Sequence, residues 1–291
     1  MGKIKIWNDD ENLTQTLSGP NSFVQSLKLL PNGNLISGSF DGTMIIWNLT
    51  NGPKAFEWLP NAAHSSSIFA FEVINEFTVA SASRDAFIKF WNFLNGSLIN
   101  SITNPNGGIS SLLLLSNGSL LSGDEAGNHL IRIWNVTSAS SLGSLSAHTN
   151  SVNALELITS EILASGSLDH NIFIWNLTNG NILKTLIASM SAGVFSLKRL
   201  TDITFVSGCD DKNIYLWDLS LNSNTYKNML SGHTHTVEAL DLLNDTILLS
   251  GSQDGTFKMW EISSGTLLNT ITTGYPLYSL IRSSGIYKIS I

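Results

Sequence analysis

Apolar residues along this chain come in short bursts, each no longer than a strand and each bounded by turn-forming residues. Seven bursts end in tryptophan: IKIW at Trp7, MIIW at Trp47, IKFW at Trp91, IRIW at Trp134, IFIW at Trp175, IYLW at Trp217 and FKMW at Trp260. Each is apolar on both alternating faces, which predicts a strand covered on two sides. From 151 to 187 the pattern predicts strands at Ser151–Ile158, Glu161–Gly166, Asn171–Asn176 and Asn181–Ile187. Between bursts stand Pro31-Asn32-Gly33, Asp41-Gly42, Asn117-Gly118, Asn179-Gly180 and Asp254-Gly255, which tight turns select. Nothing longer than a strand holds a 3.6-residue apolar period, so helix is not expected.

The tryptophans recur at intervals of 40, 44, 43, 41, 42 and 43 residues, and Trp58 alone falls outside the series. A period near 42 with four strands in it is the pattern of a β-propeller blade. The whole chain resembles the WD-repeat family. Three units carry a further mark of that resemblance: His64, Ser81, Asp85 and Trp91; His148, Ser165, Asp169 and Trp175; His233, Ser250, Asp254 and Trp260. His precedes Ser by 17 residues and Trp by 27 in all three. The resemblance implies a buried tetrad in which imidazole bridges the serine hydroxyl and the turn aspartate, while the hydroxyl accepts the indole N–H.

Other units depart from the pattern. The first keeps Ser37, Asp41 and Trp47 but has Pro20 at the histidine position, and the fifth keeps Ser207, Asp211 and Trp217 but has Met190. The third keeps Ser122 and Trp134, with its turn Asp lost in an irregular Asp124–Asn128 segment. Burial rather than polar networks is expected to hold these units. After the tryptophan stands Asn in five units, and Asp218 or Glu261 in the others.

Both ends of the chain fall inside a unit, and the tail supplies what the head lacks. The expected fold is therefore all-β: a seven-bladed propeller of four-stranded antiparallel blades, one domain over residues 1–291. Its last blade would combine residues 1–17 with 276–291, closing the ring without an open edge.

Composition narrows the function. With 43% hydrophobic and 13% charged residues the chain has material for a large core. No apolar run reaches the length of a membrane-spanning helix, and the first residues do not read as a secretory signal. Cys209 is the only cysteine, so no disulfide framework or cysteine-based metal site is expected. A formal charge of −7 disfavours nucleic acid and anionic membranes as partners. The expected setting is the cytoplasm or nucleus.

No phosphate-binding, dinucleotide, zinc-protease or nucleophile-elbow motif occurs. His233-Thr234-His235 has a metal-like spacing, but the resemblance commits His233 to a tetrad. The repeated His–Ser–Asp sets read as structural, not as hydrolase triads. No catalytic residue, metal or cofactor is expected.

The resemblance implies instead a protein-binding scaffold, a monomeric ring within a complex. Partners would meet the end face at positions three and five after the histidine and just before the turn acid. Among these, Phe23, Phe40, Phe69, Arg84, Phe195 and Tyr278 have the aromatic or arginine character of interface anchors. RNA binding, or a small molecule or reaction in the central channel, are the alternatives.

Overall fold

The computed structural model describes residues 2–8, 12–49, 55–56, 63–283 and 286–290; Trp58 lies outside them. Six four-stranded antiparallel sheets are each built from strands consecutive in the chain. The sheet of Trp175 is typical, with strands Val152–Leu157, Ile162–Ser167, Asn171–Asn176 and Ile182–Ile187. A further group of four joins Lys3–Asn8 and Leu13–Ser18 to Ser279–Ser283 and Ile286–Ser290. In it Lys3–Asn8 pairs antiparallel with Ile286–Ser290, from Ile4 opposite Ser290 to Asn8 opposite Ile286. Among the described residues, blades continuous in the sequence thus number six, where seven blades were expected.

Burial follows strand position. Ile162–Ser167 is buried from its second residue on, and the Trp175 strand is buried through IFIW. The fourth strand, Ile182–Ile187, is largely exposed. Backbone contacts divide the chain into two units, Met1–Ser146 with Ser283–Ile291, and Ala147–Arg282. Within each, neighbouring sheets share a core. In the first unit Ile36, Met44 and Ile46 meet Ile68, Phe71 and Trp91. In the second, Ile172 and Ile174 meet Val194, Phe205 and Trp217. Small residues on the second strand permit the approach: a Cβ at Gly166 would lie 2.4 Å from Val194 Cγ1, and one at Gly208 2.8 Å from Val237 Cγ1.

First strands are tied laterally by charge as well. Lys28 pairs with Glu72 at 2.8 Å in the first unit, and Lys198 with Asp241 at 2.8 Å in the second.

Candidate functional site: the turn ends of the blades

The three complete tetrads share one geometry. Trp175 Nε1 donates to Ser165 Oγ (2.8 Å), that oxygen meets His148 Nε2 (2.7 Å), and His148 Nδ1 meets Asp169 (2.8 Å). Asp169 also accepts the N–H groups of Thr149 (2.9 Å) and Asn171 (3.0 Å). The sets of Trp91 and Trp260 repeat the His–Ser distance of 2.7 Å and the Trp–Ser distance of 2.8 Å. Burial works against the Asp85 and Asp169 carboxylates, yet histidine and backbone N–H groups hold both pKa values down at about 2. Burial also lowers His64 and His233 below the ordinary imidazole range, against the pull of their aspartates. Ser81, Ser165 and Ser250 are 0% exposed, so these hydroxyls are shut off from any substrate. His235, by contrast, is exposed.

Two of the altered units have polar networks of their own, where burial was expected to hold them more than polar networks do. In the Trp134 sheet the acid is not lost in a solvated turn. Asp124 is fully buried and receives Asn104 Nδ2 at 2.8 Å and Arg132 Nε at 3.2 Å. In the Trp217 sheet the Tyr215 hydroxyl donates to Asp211 at 2.5 Å, taking the place of histidine. Met190, at the histidine position, is 91% exposed. Ser122 and Ser207 still accept their tryptophan N–H groups at 2.8 and 2.9 Å.

Above the tetrads, the expected end-face positions form a repeated triplet. The residue before the first strand accepts, through its carbonyl, the N–H of the residue after the second: Phe23 from Phe40 (2.9 Å), Ser67 from Arg84 (3.0 Å) and Gly108 from Glu125 (2.8 Å). Ser151 with Leu168, Gly193 with Asp210 and Thr236 with Gln253 do the same at 3.0, 3.1 and 3.0 Å. The third member sits inside the first strand, where every register shifts. Ile68 pairs with Ser83 and Ala70 with Ala82, leaving Phe69 unpaired in a bulge. Phe195 and Glu238 occupy the same bulge in their sheets. A bulge re-aims one side chain out of the strand's alternation, and the sequence carries no mark of it.

In the first unit these triplets join into one line. Ser67 Oγ donates to the Phe40 carbonyl across two sheets (3.1 Å), and Arg84 pairs with Glu125 across the next (2.7 Å). Phe23 and Phe40 are each 48% exposed along it, Phe69 is half-buried, and the Arg84 side chain is open. Burial raises the Glu125 carboxyl, and the Arg84 guanidinium pulls it back. In the second unit Phe195 and Tyr278 are half-buried. Burial, and then the charge of Glu238, raise the Tyr278 hydroxyl.

Four-stranded antiparallel blades with buried His–Ser–Asp–Trp tetrads define a β-propeller of the WD type. The sequence description "WD domain, G-beta repeat" matches residues 11–48, 139–176, 180–218 and 224–261, more than half of the chain, and the chain belongs to that family. Human apoptotic protease-activating factor 1 is 30% identical over 92 residues, 31% of this chain and 7% of that protein. Actin-interacting protein 1 of Caenorhabditis elegans is 40% identical over 62 residues, 21% of this chain and 10% of that protein. This chain therefore matches only a small part of either relative's length. The WD40 β-propeller domain of Doa1 superposes with a TM-score of 0.80 at 19% identity, covering 96% of this chain and 95% of that one; the likeness is one of fold.

Proposed function

We propose that this chain is a non-catalytic scaffold that presents the turn ends of its blades to a protein or peptide segment. The reading includes a single ring of seven blades over residues 1–291, its last blade shared by the two ends, working as a monomer within a complex in the cytoplasm or nucleus. The observation that carries it is the line Phe23–Phe40–Ser67–Arg84, where two aromatic rings, each 48% exposed, stand on hydrogen-bonded backbone with the exposed side chain of Arg84, which is paired with Glu125. Aromatic residues, Phe among them, and arginine are enriched in protein interfaces, and apolar groups gathered on a surface favour a covering partner. The name of one relative, actin-interacting protein 1, records a protein partner for that molecule. Catalysis through the His–Ser–Asp sets is disfavoured because each serine oxygen is buried and already engaged by indole and imidazole.

The test is Phe69→Ala combined with Arg84→Glu, assayed for melting temperature and for recovery of partners from native lysate. Loss of one true anchor costs about 2 kcal/mol or more of binding. Lost partners with an intact fold support the reading. Unchanged partners would move the interface elsewhere, and a collapsed fold would assign Phe69 to the core.

A further inference from the structure

Two sheets carry the same end-face arrangement with one difference. In the first unit Glu125 follows the buried Asp124, and its carboxylate is paired with Arg84 from the preceding sheet at 2.7 Å. A Cβ at Gly108 would lie 2.3 Å from Glu125 Oε2, so glycine lets that carboxylate lie over the backbone. In the second unit Asp210 follows the buried Cys209, and its Oδ1 accepts the Gly193 N–H at 2.8 Å. A Cβ at Gly193 would lie 3.0 Å from Asp210 Oδ2 and 2.9 Å from Leu168 Cδ2. Leu168 stands after its second strand just as Arg84 does, with its N–H on Ser151 as the Arg84 N–H is on Ser67. The carboxylate and its glycine are kept; the guanidinium is replaced by leucine.

The next sheet adds a second acid. Glu238 is the bulge residue there, and the neutral amide of Gln253 is its partner at 2.6 Å. Among the described residues neither Asp210 nor Glu238 has a lysine or arginine partner. Burial raises the Asp210 carboxyl, the Gly193 N–H pulls it back, Asp211 opposes its charge and His170 favours it, while Asp210 opposes the charge on Glu238 and Glu238 that on Tyr278. Burial first, and then Asp210, push the Glu238 carboxyl up to about 7. Burial is the first cause that disfavours ionisation of both carboxylates, and a cation placed against them would favour their charged forms. Half-buried Phe195 and Tyr278 supply ring surfaces of the kind that attract the same cation.

We propose that the end face of the second unit takes a lysine or arginine side chain of a partner polypeptide against Asp210 and Glu238, the role that Arg84 fills internally for Glu125. This rests on the end-face reading of function and adds the chemistry of the partner: a segment carrying a basic residue.

The experiment pans a random dodecapeptide display library on the intact chain and on three variants, each checked for an unchanged melting temperature. These are Asp210→Asn with Glu238→Gln, Leu168→Arg, and Phe23→Ala with Phe40→Ala. The expected result is enrichment of lysine- or arginine-containing peptides on the wild type. Their affinity should fall about tenfold or more with the amide variant, and equally with Leu168→Arg, which supplies the guanidinium from within. Phe23→Ala with Phe40→Ala, which leaves the second unit's residues in place, should leave the selection of a basic residue unchanged. On the wild type, affinity should decline as Glu238 takes up its proton below about pH 7, and Glu238→Gln should remove that decline. Enriched peptides without a basic residue, or with affinity unmoved by both Asp210→Asn/Glu238→Gln and Leu168→Arg, would overturn the inference and leave the end-face reading standing. Absence of any enriched peptide would overturn both.

Discussion

Ser165 holds two hydrogen bonds on one oxygen, from the Trp175 indole and with the His148 imidazole, at 2.8 and 2.7 Å, and is fully buried. Removing that oxygen orphans both partners at once, at about 1–3 kcal/mol for each group. Ser165→Ala should therefore lower the denaturation midpoint well beyond what one lost hydroxyl implies, and Trp175→Ala should cost about 3–5 kcal/mol. An unchanged midpoint in either variant would contradict the structural role of the tetrads. The same groups set the response to acid. Asp85 and Asp169 sit at about 2 when folded, below the ordinary carboxylate value of about 3.9. Their contribution is complete above that value and is lost as pH falls toward 2. His64 and His233 are lowered by burial, so the unfolded chain binds their protons more readily, and stability also declines as pH drops below about 6.5. Melting temperature against pH should show an early decline and a steeper late one. Replacing both His64 and His233 with Gln should flatten the early decline relative to wild type; an unaltered slope would contradict the assignment.

At the scale of the blade, the residue two before the tryptophan supplies a partner to the acid in two of the three incomplete tetrads. Positions two apart on a strand share a face, so this side chain lies beside the indole. It is Arg132 on Asp124 and Tyr215 on Asp211 in two of the units without the histidine, but Ile45 in the first; beside the histidines it is Lys89, Lys258 or Phe173, the last against the His148 ring with centroids 4.5 Å apart. Arg132→Leu leaves a fully buried carboxylate with Asn104 as its remaining side-chain donor, and should cost about 3–5 kcal/mol. Tyr215→Phe should cost about 1–3 kcal/mol; equilibrium urea unfolding checks both, and no change in Arg132→Leu would contradict the network. The period, the strands and the complete tetrads were legible because tryptophan spacing and turn chemistry repeat. The substitutes were not, because they break spacing. Asn104 lies 20 residues before its acid where each histidine lies 21, and Asp124 is a strand residue rather than a turn residue. The end-face positions came from the family resemblance, carried across residue by residue. The bulge that turns out Phe69, Phe195 and Glu238 was not legible, because no residue type marks it.

Across the whole molecule, the account depends on the two ends of the chain sharing a blade and on the turn ends meeting a partner. Ile4, Ile6 and Leu17 are buried, and Lys3–Asn8 lies between Leu13–Ser18 and Ile286–Ser290. A chain beginning at Ser18 would leave Ile286–Ser290 without that neighbour and uncover an edge. It should aggregate or melt far below the full chain, and a monomeric product with an unchanged melting temperature would refute the closure. The most direct test of the central claim is amide hydrogen exchange on the intact chain, alone and with a partner recovered from lysate. The account predicts new protection at the turns around Phe23, Phe40, Phe69 and Arg84, where Phe40 and Arg84 already donate their N–H groups to the triplet carbonyls. Protection confined to the outer strands, such as Leu98–Thr103 or Ile182–Ile187, with none at those turns, would contradict it.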